Sequence, residues 1–93
     1  MRKYIWETPE EINLIVAENV RNIRKRRGIS QKKLSELSGV SYGSIKRFEM
    51  TGNISLLALT KIAVELDAAQ DIKSLFTSVA YQSIEEVINE QDK

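Results

Sequence analysis

The sequence predicts an all-α fold of five helices followed by a short C-terminal extension that can add a sixth, and three features predict it. Apolar residues recur at spacings of three and four, and no segment shows the alternation that a half-buried strand requires. Four of the five apolar stretches open behind a Ser or Thr that can cap a helix. A chain of 93 residues with no cysteine has room for one small core, held by packing rather than by disulfides.

Thr8-Pro9-Glu10-Glu11 begins the first helix: Thr8 can cap it, Pro9 suits the first helical position and Glu11 completes a capping box. Ile12, Val16, Val20 and Ile23 then make one apolar stripe, the run Arg24 to Arg27 suits the negative helix end, and Gly28 can stop it. This predicts a helix over 9–27. Ser30 caps a second helix over 31–38 that buries Leu34 and Leu37, and Gly39 breaks it. Ser41 caps a third over 42–50 with Ile45 and Phe48 inward, and Thr51-Gly52-Asn53 reads as a loop. Ser55 caps a fourth over 56–66 whose Leu56, Leu59, Ile62, Ala63 and Leu66 form a wide apolar face. Asp67 and Ala68 separate it from a fifth over 69–77, carrying Ile72, Leu75 and Phe76. Residues 9–77 thus form the domain, behind an N-terminal arm, 1–8, and ahead of an extension, 78–93. In the extension Ser83-Ile84-Glu85-Glu86 is a second capping box, which makes 84–91 a short helix too weak to stand alone.

Composition narrows the function classes. There is no histidine and no cysteine, so thiol and imidazole nucleophiles, catalytic triads and structural zinc sites are excluded together. No phosphate-cradling glycine loop is present, and the carboxylates fall on caps and exposed faces. The chain reads as a non-enzyme with no metal and no cofactor. No apolar run approaches the ~20 residues that cross a bilayer, and the N-terminus lacks a signal-peptide core, so a cytoplasmic protein with no membrane partner is expected. The net charge of +1 hides a division: residues 1–50 carry 11 Lys and Arg against 6 Asp and Glu, and residues 51–93 carry 3 against 7. A basic half beside an acidic half points to a polyanion on one side and a different contact on the other.

Residues 31–49, QKKLSELSGVSYGSIKRFE, carry the functional signal. Two short helices at a tight turn need a small residue where they touch, a glycine at the turn and apolar residues that fix the second helix; Ser35, Gly39, Val40, Ile45 and Phe48 occupy those places beside Leu34. With Ile45 and Phe48 inward, the pairs 42/46 and 43/47 fall one turn apart on the outward side. The pattern resembles the helix-turn-helix of the phage repressor and Cro class, the xenobiotic-response-element (XRE) family of regulators, over about residues 15–75. The resemblance implies a compact repressor-like domain that binds double-stranded DNA. It implies that Gln31 contacts a phosphate and buttresses the recognition helix, that Ser41 caps that helix, and that Tyr42, Gly43, Ser44, Lys46 and Arg47 meet the groove. It further implies that Arg24 pairs with Glu49 and lies near the DNA backbone. Arg47 has the guanidinium fork for a guanine edge, Lys46 can reach a base or a phosphate, and Tyr42 a thymine methyl or a phosphate. Lys32 is a phosphate contact; Lys25, Arg26 and Lys33 read as a solvated face. Two positions depart from the family: Ser35 stands where alanine is usual and should bond back into its own helix, and Gly43 leaves a bare position where a polar reader is common.

One short helix reads few base pairs, so a homodimer on an inverted repeat is expected. The acidic, apolar C-terminal part, with Leu75, Phe76, Val79, Tyr81, Ile84, Val87 and Ile88, is either its dimer or partner surface or the closure of the monomer's own core. Residues Phe48 to Leu66 also look like the DNA-binding antitoxins that accompany HipA-type kinases, which implies autorepression and a toxin protein partner. A protein-interaction adaptor that has lost DNA binding is the rival from another class, and Lys46 and Arg47 weigh against it.

Overall fold

A computed structural model describes residues 7–77, which form five helices: α1 (Pro9–Arg26), α2 (Gln31–Ser38), α3 (Tyr42–Thr51), α4 (Leu56–Glu65) and α5 (Ala69–Lys73). The arm residues 1–6, the extension 78–93 and the helix expected over 84–91 lie outside the described residues. The first four helices begin as their capping residues dictate. The Thr8 hydroxyl accepts from the Glu11 N–H at 3.1 Å while the Thr8 N–H donates to the Glu11 carboxylate at 2.9 Å. Ser30, Ser41 and Ser55 each accept from the N–H three residues on, at 3.0, 3.1 and 3.0 Å. Each cap satisfies a donor that the helix itself leaves unpaired. Helix ends fall within one residue of expectation for α1 to α4, which is ordinary fraying.

α5 differs. It ends at Lys73 rather than 77, and Ser74 to Phe76 form a turn. Ala68 supplies no side-chain cap, five residues are too few to hold a helix by propensity, and Phe76 adopts φ 63. Of its expected apolar residues Ile72 is half-buried, Leu75 is exposed and Phe76 is 94% exposed.

The core gathers Leu34 from α2, Val40 from the turn, Ile45 from α3, and Ile62 and Leu66 from the α4 end, with Val20, Ile23, Ile29, Ile54 and Ala58 packed around them. Leu37, expected beside Leu34, is 45% exposed. α2 has only two turns, and a residue three positions on points about 60° away from the line of contact, so Leu34 takes the centre and Leu37 the rim.

α1 also turns differently from its apolar stripe. Its fully buried position is Ala17, with Arg24 two turns on, whereas Ile12 and Val16 are 46% and 39% exposed. α1 packs on α3 through the Ala17 side, where a methyl lets the helices close. At the same seam Gly52, φ 83, ends α3 against α1: a Cβ there would lie 2.8 Å from the backbone carbon of Asn13. The left-handed conformation and the missing side chain are both required at that contact. No helix among the described residues is long and apolar enough to cross a membrane.

Candidate nucleic-acid interface

The turn between α2 and α3 is made by three residues with separate tasks. Gly39 takes φ 78 and ends α2, Val40 is buried beneath the turn with its N–H on the Ser38 hydroxyl at 3.1 Å, and Ser41 caps α3. Ser35 is half-buried at the helix crossing, and no bond of its hydroxyl within α2 is formed; a small side chain is what that place needs. Ile45 and Phe48 sink into the core and fix the rotation of α3 about its own axis. Tyr42, Gly43, Ser44, Lys46 and Arg47 are then all exposed on the outer face, as helical geometry requires.

Within that face the side chains are partly organised. The Lys46 ammonium lies 5.2 Å from the centre of the Tyr42 ring, a cation–π distance that stands the two side chains together one turn apart. The Ser41 hydroxyl donates to the Ser44 hydroxyl at 2.7 Å, so Ser44 serves the helix start while its own proton stays available outward. Arg47 borders a small pocket with Ser44, Asn53 and Ser55, where the loop after α3 meets the start of α4. A Cβ at Gly43 would meet nothing within 4 Å, so the fold itself does not call for glycine there. Lys32 is exposed in the first turn of α2, beside Gln31.

Behind the outer face a buried polar tie sets the angle of α3. Arg24 donates through Nε to Glu49 Oε2 at 2.7 Å and through Nη2 to Glu49 Oε1 at 2.9 Å, a bidentate pair. Its Nη1 donates to the Ile29 carbonyl at 2.8 Å, which binds the loop after α1 into the same cluster. Gln31 Nε2 reaches Glu49 Oε1 at 2.8 Å, and Arg21 adds a second cation 3.9 Å from that oxygen. The side chains of Arg24 and Glu49 are only 9% and 4% exposed. Burial alone pushes the Glu49 carboxyl up; the bonds from Arg24 and Gln31, with the charges of Arg24 and Arg21, outweigh it and hold the carboxyl below its ordinary value. One carboxylate thereby joins α1, α2 and α3. Arg24, which the family resemblance sets beside the DNA backbone, is 7% exposed with its fork spent on Glu49 and Ile29, so it acts on α3 from behind.

Several contributors were not legible as such. Gly52, read as loop, is the contact that seats α3 on α1; its signal was a glycine just past a helix end. The Ile29 carbonyl and Arg21 carry no sequence mark. Met50, 74% exposed, continues the outer face one turn beyond Lys46 and Arg47.

A family model described as helix-turn-helix matches residues 20–68, from the middle of α1 to the end of α4 and just over half of the chain. No curated protein and no solved structure matches it. The matched span contains the buried tie, the glycine turn and the whole outer face of α3, and on that ground the chain belongs to the helix-turn-helix family of Cro/C1 (XRE) type, a family of DNA-binding transcription regulators.

Proposed function

We propose that the protein is a sequence-specific repressor that binds an inverted-repeat operator as a dimer, laying α3 in the major groove of each half-site. The observation that carries this reading is the two-sided build of α3: an outer face of Tyr42, Gly43, Ser44, Lys46 and Arg47 on a helix whose back is fixed by Ile45, Phe48 and the Arg24–Glu49 pair. A reader must be rigid at its back to be selective at its front. Arg47 takes a guanine edge through its fork, and Lys46 and Tyr42 act as a stacked pair on an adjacent base or phosphate. Gln31, through the amide hydrogen it does not give to Glu49, and Lys32 hold backbone phosphates at the start of α2, and Ser41, its hydroxyl spent on Ser44, positions the start of α3. No catalytic step and no cofactor belongs to this reading. Dimer contacts come from the acidic C-terminal half, at the exposed Leu75 and Phe76 and the extension beyond them.

The test is binding to the DNA upstream of the protein's own gene as salt is raised. Log K should fall by about 0.9 per phosphate contact for each decade of salt. Arg47→Ala should cost about 1–3 kcal/mol and relax base preference at one position, while Lys32→Ala weakens all sequences alike and lowers the salt slope by about one. Absence of DNA binding at low salt, with a folded chain, would favour the adaptor.

A second reading is an antitoxin that represses its own gene and holds a HipA-type kinase, supported by the likeness of residues Phe48 to Leu66. In the fold most of those residues are core and caps, Phe48, Ile62, Ala63 and Leu66 among the former and Gly52 and Ser55 among the latter, whereas Thr51, Lys61 and Leu56, the last expected on the apolar face, are exposed. Their likeness therefore speaks to the scaffold more than to a toxin. Co-purification of a kinase-sized product of the neighbouring gene decides it.

A further inference from the structure

Three side chains converge on the Glu49 carboxylate, and two of them already satisfy it. Oε2 accepts from Arg24 Nε at 2.7 Å, and Oε1 accepts from Arg24 Nη2 at 2.9 Å and from Gln31 Nε2 at 2.8 Å. The third, Arg21, stops with its Nε 3.9 Å from Oε1, a charge contact too long for a hydrogen bond. Its side chain is 50% exposed where that of Arg24 is 9%. Among the described residues Arg21 makes no hydrogen bond through its side chain, and Glu18, one turn back on the same face of α1, is not paired with it. The cluster thus sets two guanidinium charges against one carboxylate, and the surplus cation is the one that meets solvent.

The surplus stands at the edge of the reading surface. Gln31 opens α2 and gives one amide hydrogen to Glu49, which leaves its second hydrogen unused by the tie. The Arg21 and Gln31 nitrogens reach the same carboxylate oxygen, so they lie side by side, within the span of one phosphate group. Lys32, the next residue of α2, is exposed. A carboxylate that already holds three donors gains little from a fourth, half-wet charge. A phosphate, by contrast, accepts from a guanidinium fork and an amide alike. Arg24 cannot serve, since its fork is spent on Glu49 and the Ile29 carbonyl. Glu49 itself is 4% exposed and paired with Arg24, so it presents little negative charge to an approaching phosphate.

We propose that Arg21 is a DNA-backbone contact: its guanidinium and the second amide hydrogen of Gln31 grip one phosphate beside the start of α2, and Lys32 takes a neighbouring one. The proposal rests on α3 as the major-groove reader, and it ties the DNA backbone to the same cluster that sets the angle of α3. The test is binding of the full chain to its own upstream DNA and to a scrambled duplex over a range of salt. Arg21→Gln should weaken both duplexes alike, about tenfold near roughly 0.05 M salt and about fourfold near roughly 0.2 M, a salt slope flatter by about 0.9. Base preference should be unchanged, Arg21→Lys should recover most of the slope, and Tm should stay within a few degrees. Lys73→Gln removes the same charge on α5, away from the motif, and should leave the slope as it is. A lower Tm for Arg21→Gln with affinity per folded molecule and slope intact would mean that Arg21 serves only Glu49, and equal slope losses from Arg21→Gln and Lys73→Gln would mean net charge alone; either result overturns the proposal. A wild-type chain that binds no DNA at low salt overturns it together with the repressor reading. Failure of Arg21→Gln alone, with Lys32→Ala and Arg47→Ala behaving as expected, overturns this contact and leaves that reading standing.

Discussion

The two sides of α1 are finished in opposite ways. Toward α3 the seam is closed: Ala17 is fully buried, Gly52 lies so near Asn13 that a Cβ on it would come within 2.8 Å of the Asn13 backbone carbon, and Arg24 is held by Glu49 and Ile29. Toward α4 and α5 it is open, with Ile12 and Val16 lining an apolar groove. The closed side uses contacts with one geometry, a bidentate pair and a backbone butted against a glycine; the open side offers area without direction. Only the closed side can hold a helix to the fraction of an ångström that base reading requires.

The closed side should therefore be brittle, and Glu49 is where it breaks most. Glu49→Ala leaves the Arg24 guanidinium buried with only the Ile29 carbonyl, a loss of about 3 kcal/mol in denaturant unfolding. Substitution at Ile12, half-exposed on the open side, should cost less than ~1 kcal/mol. Equal losses at the two positions would erase the contrast between the sides.

Two glycines sharpen it next. Gly39 and Gly52 both end a helix in the left-handed region, at φ 78 and 83, but a Cβ at Gly39 meets nothing within 4 Å while one at Gly52 meets the Asn13 backbone. Gly39→Ala should cost about 1–2 kcal/mol from backbone strain alone. Gly52→Ala adds a clash that only movement of α1 relieves, for a total of about 3 kcal/mol. Because that movement shifts α3, Gly52→Ala should also weaken DNA binding per folded molecule, and Gly39→Ala less so.

A smaller effect separates the charge of the tie from its shape. The folded Glu49 carboxyl is held below its ordinary value of 4.5, so it binds a proton less readily than in the unfolded chain. Its contribution to stability is whole above that value and drains away as the pH falls through the lower, folded pKa. Compared with Glu49→Gln, the wild type should be more stable at neutral pH, and the gap should close below about pH 4.5 as the carboxylate takes up its proton. A gap that stayed constant with pH would assign the tie to hydrogen-bond geometry rather than charge.

How much of this was legible follows from the range of each interaction. The caps at Thr8, Ser30, Ser41 and Ser55 and the turn at Gly39 depend on residues three or four apart, and the helix starts were readable from them. The Arg24–Glu49 pair spans 25 positions and was available only through the family resemblance. What stayed hidden depends on how helices approach: that α1 closes through Ala17 rather than Val16, that Leu37 falls at a rim, and that Gly52 meets Asn13. A periodic stripe gives the direction of an apolar face to within a residue or so, and on α1 that residue separates the closed seam from the open groove. α5 was overextended because Leu75 and Phe76 kept the apolar spacing while nothing at Ala68 started the helix firmly.

The smallest expected effect on stability is the most informative about α3. Gly43 sits inside the recognition helix with open space around it, so Gly43→Ala should stabilise the free protein by about 0.5–1 kcal/mol through backbone entropy alone. Solvent exposure gives no reason to keep a glycine there. If the α3 backbone approaches DNA closely at this position, the added methyl has no room in the complex, and affinity should fall while thermal stability rises. Opposite signs from one methyl group cannot come from damage to the fold, since damage lowers both. A rise in both stability and affinity would move base reading toward Tyr42, Lys46 and Arg47 and leave Gly43 as a bare helix position.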